Sequence, residues 1–333
     1  MKRAGRKAAE LDVLTIGMVN VDYIAADLEA LPAPGVTQFT KERIVERPAS
    51  GHPANVAIDA VKLGISPKRI GVVAALGKDA AGRASDLELK RYGVNRFIQW
   101  AASPTGKNLI QVPRGHDRIF TIDPGANLDL PTKHVRAVLQ AHRPRVLSIR
   151  PGYSGIDGNV AALLQEVPDA FVLLDLIRPY RKPWNYLRKA IPFVGAIHGN
   201  EQEIMGLAGV PKIKGAIRKL HGWGARIILV TRGHKGVLLS TPEHFVTQPG
   251  FAVNAVDPTG CGDAFCAGFL VRVLGEDKGR SALANLPKEK LCEMLLYAQA
   301  VGAAAACGIG CTVGVNATRV QQLLKAQANT IRG

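Results

Sequence analysis

The sequence predicts an α/β fold with a mainly parallel central sheet and helices on both faces of that sheet. Short runs rich in Val, Ile and Leu recur along the chain, each bounded by Gly, Pro or charge. Such runs are typical of strands that are buried on both faces. Segments with a helical spacing of apolar residues lie between them, and this alternation favours a parallel sheet. With 333 residues, 47% of them hydrophobic, the chain is long enough to bury a large core.

The predicted strands and helices alternate along most of the chain. The strand-like runs are 12–17, 69–75, 145–149, 170–175, 192–197 and 226–231. The helical patterns are 53–63, 79–91, 131–141, 156–166, 200–208, 211–222, 262–274, 288–306 and 316–328. No linker or internal repeat divides them, so we expect residues 1–333 to form a single domain.

Two segments depart from this alternation. Residues 36–48 and 107–123 alternate polar and apolar positions without a helical period, which is typical of antiparallel ribbons. We therefore expect two excursions, at about 24–48 and 107–123, to form a small β-sheet lid over a cleft in the main domain.

Composition and charge narrow the class of protein. The net charge of +16 is spread along the chain apart from a short basic cluster at residues 2–7, and no nucleic-acid motif accompanies it. A basic surface that favours anionic substrates is therefore a better interpretation than nucleic-acid binding. Five cysteines without paired CxxC spacing argue against a zinc site and for a reducing compartment. The start of the chain lacks a long apolar signal segment, and the apolar stretch near 294–309 is interrupted by Gln299. We expect a cytoplasmic protein that does not span a membrane.

The segment Val256–Phe265 carries the strongest chemical signal. Its glycine-rich turn runs directly into an apolar helix, whose first backbone N–H groups lack partners at the positive end of the helix dipole. Gly260 and Gly262 let an anion approach those groups closely. Asp263 then lies at the mouth of an anion hole, where its carboxylate can accept a proton from a substrate hydroxyl.

A purely structural interpretation of this segment is also available. Asp263 can be a helix cap and the glycines a tight turn. The spacing excludes two common phosphate-binding motifs, because the third glycine of a dinucleotide fingerprint is absent and no Gly-Lys-Ser/Thr of a Walker A loop follows.

The run Asp257-Pro258-Thr259-Gly260-Cys261-Gly262-Asp263-Ala264-Phe265 resembles the C-terminal signature of the ribokinase/PfkB family of carbohydrate kinases. Other segments match that family in the expected order: Gly17–Asp22, Ser50–Ala57 with Leu63-Gly64, Asn200–Glu203 (an NxxE motif) and Thr231–Gly236. Together they cover residues of about 12 to 315. The resemblance implies a ribokinase-like, Rossmann-type α/β sandwich with a small β-sheet lid, and an ATP- and Mg²⁺-dependent kinase acting on a sugar hydroxyl.

The resemblance also assigns site residues. Asp263 would be the base, with Gly260, Cys261 and Gly262 forming the anion hole. The residues expected to bind the acceptor are Asn20, Asp22, Gly51, His52, Asn55 and Asn127. Those expected to bind the nucleotide are Asn200, Glu203, Thr231, Gly233 and Gly236, with Glu203 holding Mg²⁺ through water. Asp257 would lie beside a monovalent cation such as K⁺. Several of these positions also suit ordinary turns, helix positions or a capping box.

The acceptor is less well defined. Arg150 stands where ribokinases usually carry an acidic sugar ligand, and Asp175–Pro179 departs from the DPNxR stretch of fructokinases. Arg150 and Arg178 suit an acidic sugar, because guanidinium groups bind carboxylates well, although both also fit a basic surface. A nucleoside kinase of the same superfamily and a catalytically silent nucleotide-binding regulator are the alternatives. Family lids often pair across subunits, which implies a homodimer.

Overall fold

The structure, a computed structural model, describes residues 11–40, 44–114, 117–276 and 283–332. Its strands are β1 (Val13–Gly17), β2 (Asn20–Leu28), β3 (Val45–Ser50), β4 (Ile70–Gly77), β5 (Asn95–Ala101), β6 (Gly106–Pro113), β7 (Ile119–Asp123), β8 (Val146–Arg150), β9 (Phe171–Asp175), β10 (Ala196–Asn200), β11 (Ile227–Thr231), β12 (Val237–Ser240) and β13 (Phe245–Gln248). Its α-helices are α1 (His52–Lys62), α2 (Ala80–Arg91), α3 (Thr132–His142), α4 (Val160–Leu164), α5 (Glu201–Ala208), α6 (Ile213–Gly222), α7 (Cys261–Gly275), α8 (Lys288–Ala305) and α9 (Ala317–Arg332).

Nine strands form the central sheet, in the order β13-β12-β11-β10-β9-β8-β1-β4-β5. The pairings from β11 through to β5 are parallel, and β12 and β13 add an antiparallel edge. All five residues of β1 and of β9 are buried, because helices cover both faces of the sheet. The predicted α/β architecture is confirmed.

Two apolar layers hold the helices against the sheet. One contains Leu139, Leu163 and Leu220, from α3, α4 and α6. The other contains Phe269 and Leu295, from α7 and α8. Since the central-sheet strands from β11 across to β5 run in the same direction, their carboxyl ends meet at one edge, where open α/β sheets bind ligands.

The second, four-stranded sheet has the order β3-β2-β6-β7 and lies at that edge. It begins at Asn20 rather than near residue 24, and residues 36–40 form no strand. Its two excursions join through a parallel pairing of β2 with β6, so the predicted antiparallel ribbons are only the β2–β3 and β6–β7 pairs. Residues 41–43 and 115–116 of these excursions, and the basic cluster at 2–7, lie outside the described residues.

Some predicted elements differ in their bounds. The strand expected at 192–197 is displaced to β10, and the helix expected at 156–166 is reduced to α4. Strand β5 was not predicted, because its partly exposed, mixed sequence lacks the apolar run of a central strand. Among the described helices, none combines the length and the apolar character needed to cross a bilayer.

Candidate active site

The turn before α7 brings a helix N-terminus to the cleft. Gly260 has a left-handed backbone (φ 80°) and is followed by Cys261 as the first residue of α7. Helix geometry leaves the first N–H groups of α7 without intrahelical acceptors. The N–H of Cys261 donates to the carbonyl of Pro258 at 3.3 Å. The amides of Gly262 and Asp263 therefore remain the best placed to bind an anion.

Asp263 lies in this first turn, and its carboxylate is surrounded by donors. Its Oδ1 lies 2.9 Å from Nδ1 of His52 and 2.8 Å from a terminal nitrogen of Arg150. Asn55 donates from Nδ2 to Oδ2 at 2.7 Å. Burial opposes ionisation, but the charge of Arg150 and the hydrogen bond from His52 outweigh it and lower the pKa of Asp263. The site thus holds a buried, ionised carboxylate beside a helix N-terminus.

A second buried carboxylate, Asp175, lies at the end of β9 behind Asp263. Arg150 donates to Asp175 through Nε, and Nδ1 of His52 lies 3.0 Å from Asp175 Oδ2. His198 of β10 contacts Oδ1 of Asp175 through Nδ1 at 2.5 Å. Burial raises the pKa of Asp175, but Arg150 and then His52 together bring it well below the usual range. Two carboxylates therefore share one guanidinium.

The inner face of the second sheet contributes another carboxylate, Asp22. Ser50 and Asn108 donate to its two oxygens, the latter at 2.7 Å, and the thiol of Cys311 lies 3.4 Å from Oδ2. Burial raises the pKa of Asp22 to about 6. Asn108 Oδ1 is buried without a hydrogen-bond partner in the described part of the chain. Buried polar atoms are normally paired, so this oxygen suits a hydroxyl of a bound acceptor.

Asn20 and Asn127 adjoin Asp22 and contact each other. Asn127 donates to Asn20 Oδ1 at 2.8 Å and accepts from the N–H of Val19, so it fixes Asn20. Asn20 donates to the hydroxyl of Tyr153 at 3.2 Å. Gly51 has φ 96°, and a Cβ there would lie 2.3 Å from the carbonyl oxygen of Met18. The glycine is thus required for the close approach of two chain segments.

The predicted nucleotide-side residues lie at the ends of the neighbouring strands β10 and β11. Asn200 caps α5, and its side chain and that of Glu203 form a capping box. Glu203 uses Oε2 for this contact with the Asn200 N–H, at 2.8 Å. Thr231 lies 3.3 Å from Nε2 of His198. Burial raises the pKa of Glu203, and Asp175 raises it further.

The remaining predicted positions have simpler surroundings. Gly233 and Gly236 have positive φ in the turn after β11, and a Cβ on Gly236 would lie 2.1 Å from the Gln248 carbonyl oxygen. Asp257 is fully buried and accepts from the N–H groups of Thr259 and Gly310, at 2.8 and 2.9 Å. Arg178 is exposed on the segment after β9.

The structure therefore brings predicted residues together in two groups, one around Asp263 and one around Asp22. Asp263 lies with His52, Asn55 and Arg150, and Asp22 lies near the Asn20–Asn127 pair. Sequence reasoning gave no role to Ser50, Asn108, Asp175 or His198. The position of Asp175 at the end of a predicted strand could have indicated it, because the carboxyl ends of parallel strands meet at one edge. Ser50 and Asn108 carry no such signal, since their position depends on the second sheet.

Comparison with known proteins places this geometry in context. Residues 10–318 match the model of the pfkB family carbohydrate kinases. A cytidine kinase from Thermococcus kodakarensis is 41% identical over 103 residues, a match that spans 30% of this chain and 36% of that kinase. A ribokinase structure from Giardia lamblia superposes with a TM-score of 0.81 at 21% identity, covering 94% of this chain and 99% of that one. A putative ribokinase from E. coli, in complex with ATP and Mg²⁺, superposes with a TM-score of 0.73 at 20% identity, covering 95% and 99%.

Proposed function

Since this chain belongs to the pfkB family of carbohydrate kinases, and is therefore a phosphotransferase with an alcohol acceptor, we propose that Asp263 is the base of a γ-phosphoryl transfer from ATP to a small sugar-like molecule. The position of Asp263 carries the proposal. Its carboxylate is held ionised in the first turn of α7, next to N–H groups that can bind an anion. A catalytically silent regulator has no need of an ionised carboxylate at that point.

The proposed chemistry depends on positioning and electrostatics, as in other phosphoryl transfers. Three hydrogen bonds occupy Asp263, two on Oδ1 and one on Oδ2. A carboxylate offers about four lone-pair sites, so Oδ2 keeps one for the acceptor hydroxyl. As that hydroxyl attacks the γ-phosphorus, its proton passes to Oδ2, and the bond from the γ-phosphorus to the β,γ-bridging oxygen breaks to release ADP. The amides of Gly262 and Asp263 stabilise the charge on the transferred group.

ATP and Mg²⁺ are proposed as the donor and its metal, and a structural neighbour was solved with both. Glu203 fits the metal, because its capping bond uses Oε2 and leaves Oε1 for a magnesium-bound water. Bound there, Mg²⁺ would offset the charge of the phosphates. Asn200 would orient Glu203, and Thr231 and Gly233 would line the phosphates at the end of β11.

We propose that the acceptor is an uncharged polyol or a nucleoside rather than an acidic sugar. Arg150, one of two arginines considered for an acidic group, already binds Asp175 and Asp263. The groups around Asp22 are amides and hydroxyls, which suit hydroxyl groups. Asn108 Oδ1, buried and unpaired within the described residues, would accept a hydrogen bond from one of them.

A nucleoside acceptor is favoured by a specific feature of the second sheet. Asn108 pairs with Ile122, and Ile110 pairs with Phe120, so these side chains share the face that carries Asp22. Phe120 and Ile122 are 40% and 37% exposed. A planar base linked to a ribose held by Asp22 and Asn108 would cover them, since aromatic rings stack on flat ligands. The similarity to a cytidine kinase supports the same acceptor.

Three further proposals follow from the sequence. Asp257 would lie beside a K⁺ ion. Among the described contacts its buried carboxylate accepts only from backbone N–H groups, so no charged side chain there balances its negative charge. The exposed Leu109 on the second sheet favours a homodimer. Five free thiols suit a reducing compartment such as the cytoplasm. Equal turnover with and without K⁺, and a monomeric mass in light scattering, would contradict the first two.

The proposed function is tested by measuring ADP release with ATP and Mg²⁺ against free sugars, sugar acids, polyols and nucleosides. Mass spectrometry then identifies the phosphorylated product. We expect turnover on an uncharged member of the panel and none on the acids. Phe120→Ala discriminates the two acceptor classes, because it should raise KM for a nucleoside while leaving KM for a free sugar unchanged. ATP binding without turnover on any member would favour the regulator instead.

A further inference from the structure

Asp263 does not stand alone in the site, because one guanidinium bridges it to a second buried carboxylate. A terminal nitrogen of Arg150 lies 2.8 Å from Asp263 Oδ1, while its Nε donates to Asp175 Oδ2. Both residues are almost fully buried, since Asp175 is 1% exposed and Asp263 is 5% exposed. A buried charge is tolerated only when it is paired and hydrogen-bonded. The three groups are therefore one electrostatic unit.

We propose that Arg150 and Asp175 are positioning residues. Arg150 holds Asp263 ionised with one lone pair of Oδ2 open to the acceptor hydroxyl, and Asp175 fixes Arg150 and limits how strongly it acts on Asp263. Because this role is defined relative to Asp263, it rests on the proposed function of that residue as the base. It replaces the role in substrate binding that the sequence suggested for Arg150.

The contacts of Asp175 indicate that it limits how strongly Arg150 favours the ionised form of Asp263. Asp175 also accepts from His198 and lies 3.0 Å from His52 Nδ1, so it is fixed from two further elements. Its negative charge competes with Asp263 for the same guanidinium and repels the carboxylate of Asp263. Arg150 and Asp175 therefore act on Asp263 in opposite directions, the first favouring its ionised form and the second its protonated form.

His52 completes the arrangement. Its Nδ1 faces both carboxylates, and its Nε2 lies 2.8 Å from the hydroxyl of Ser148, so both ring nitrogens have partners. Burial and the charge of Arg150 lower the pKa of His52, but the charge of Asp175 and the hydrogen bonds to Asp175 and Asp263 together raise it. A protonated His52 reinforces Arg150.

Other titratable groups also face Asp263 from the elements packed around it. They are Asp22 on β2, Asp59 on α1, Tyr153 after β8, Cys261 and Cys266 on α7, and Cys311 after α8. Burial raises the pKa of every one of them, and that of Asp22 reaches about 6, so the charge of Asp22 changes in weakly acidic solution. A measurement that follows Asp263 itself separates its titration from that of Asp22.

The test is a carbon NMR titration of the full chain with ¹³C-labelled aspartate carboxyl groups, the Asp263 signal being assigned by its loss in Asp263→Asn. In the wild type we expect Asp263 to remain ionised to the lowest pH at which the protein stays folded. Arg150→Met should raise its midpoint by about one pH unit or more, since an opposite charge nearby shifts a carboxyl by about 1–3 units. Asp175→Asn should leave it as low as in the wild type or lower.

Arg150→Lys keeps the charge and is the control, with a midpoint near that of the wild type. If Arg150→Met does not fold, Asp175→Asn and Arg150→Lys still decide the matter, because a rise of the Asp263 midpoint in either one overturns the proposal. A purely structural role would raise the midpoint in all three variants by loosening the site. The titration needs no acceptor, so it fails or succeeds independently of whether turnover on any sugar or nucleoside is found.

Discussion

Cys311 lies against Gly260 so closely that the turn before α7 has no room for a side chain. A Cβ on Gly260 would lie 2.6 Å from both Cα and Cβ of Cys311 and 2.7 Å from its carbonyl oxygen. Cys311 in turn contacts Asp22 and Ser50. The loop after α8 thus connects the predicted anion hole to the acceptor side of the cleft.

Gly260→Ala should therefore damage both stability and turnover. An alanine in the left-handed backbone conformation lowers the free energy of unfolding by about 1–2 kcal/mol, and the close contact with Cys311 adds to that loss. Gly209→Ala is the matched control, because Gly209 also has a positive φ (62°) but a Cβ there meets no atom within 4 Å. We expect urea unfolding to show a larger loss for Gly260→Ala, with turnover lowered in that variant alone. Equal losses in the two variants would show that the contact with Cys311 is unimportant.

Glu203 combines a capping role with the proposed magnesium role, and two substitutions separate them. Glu203→Gln keeps a side-chain oxygen for the Asn200 N–H but removes the charge, so we expect an unchanged Tm. The Mg²⁺ concentration for half-maximal rate should rise by about tenfold or more. Glu203→Ala should show that rise and also lose about 1 kcal/mol of stability with the cap. An unchanged magnesium dependence in Glu203→Gln would remove Glu203 from the metal site.

Asp22 should make acceptor binding depend on pH. Burial raises its pKa from 3.8 to about 6, so its protonated form persists in the folded protein where an exposed carboxyl would already be ionised. Above pH 6 the carboxylate accepts hydrogen bonds from a hydroxyl, and below pH 6 it loses part of that capacity. KM for the acceptor should therefore rise as the pH falls through 6, while KM for ATP stays level.

The same shift affects stability, and the sign follows from proton linkage. Between pH 3.8 and 6 the folded state holds a proton on Asp22 that the unfolded state has released, so this group makes the protein less stable as the pH rises through that window. Asp22→Asn should remove both pH dependences. If KM for the acceptor changes with pH equally in the wild type and in Asp22→Asn, another group is responsible.

The glycine-rich turn and the helix after it could be predicted from the sequence because both are local features. Gly260, Gly262 and the apolar run of α7 are contiguous, and the capping box of Asn200 and Glu203 spans a single helical turn. Most strands of the central sheet were predictable for the same reason, since they are short apolar runs, but the mixed sequence of the edge strand β5 is not such a run.

The shared guanidinium could not be predicted in this way. Arg150 and Asp175 end the neighbouring strands β8 and β9, and His198 lies within β10 opposite Asp175. Only the parallel pairing of those strands brings the three side chains together. A basic residue at the end of a strand therefore suggested an anionic substrate, whereas the structure supplies its anions from within the chain.

The most direct test of the account is turnover of Asp263→Asn on the acceptor found by the panel, with ATP affinity measured alongside. Asp59→Asn is the matched control, because Asp59 is another buried carboxyl near the site, and neither of its oxygens has a hydrogen-bond partner in the described part of the chain. We predict that Asp263→Asn loses about 10²–10⁴-fold in kcat, the usual contribution of a general base, while its ATP affinity and the turnover of Asp59→Asn stay near the wild-type values. Near-wild-type turnover in Asp263→Asn would contradict the assignment of Asp263 as the base.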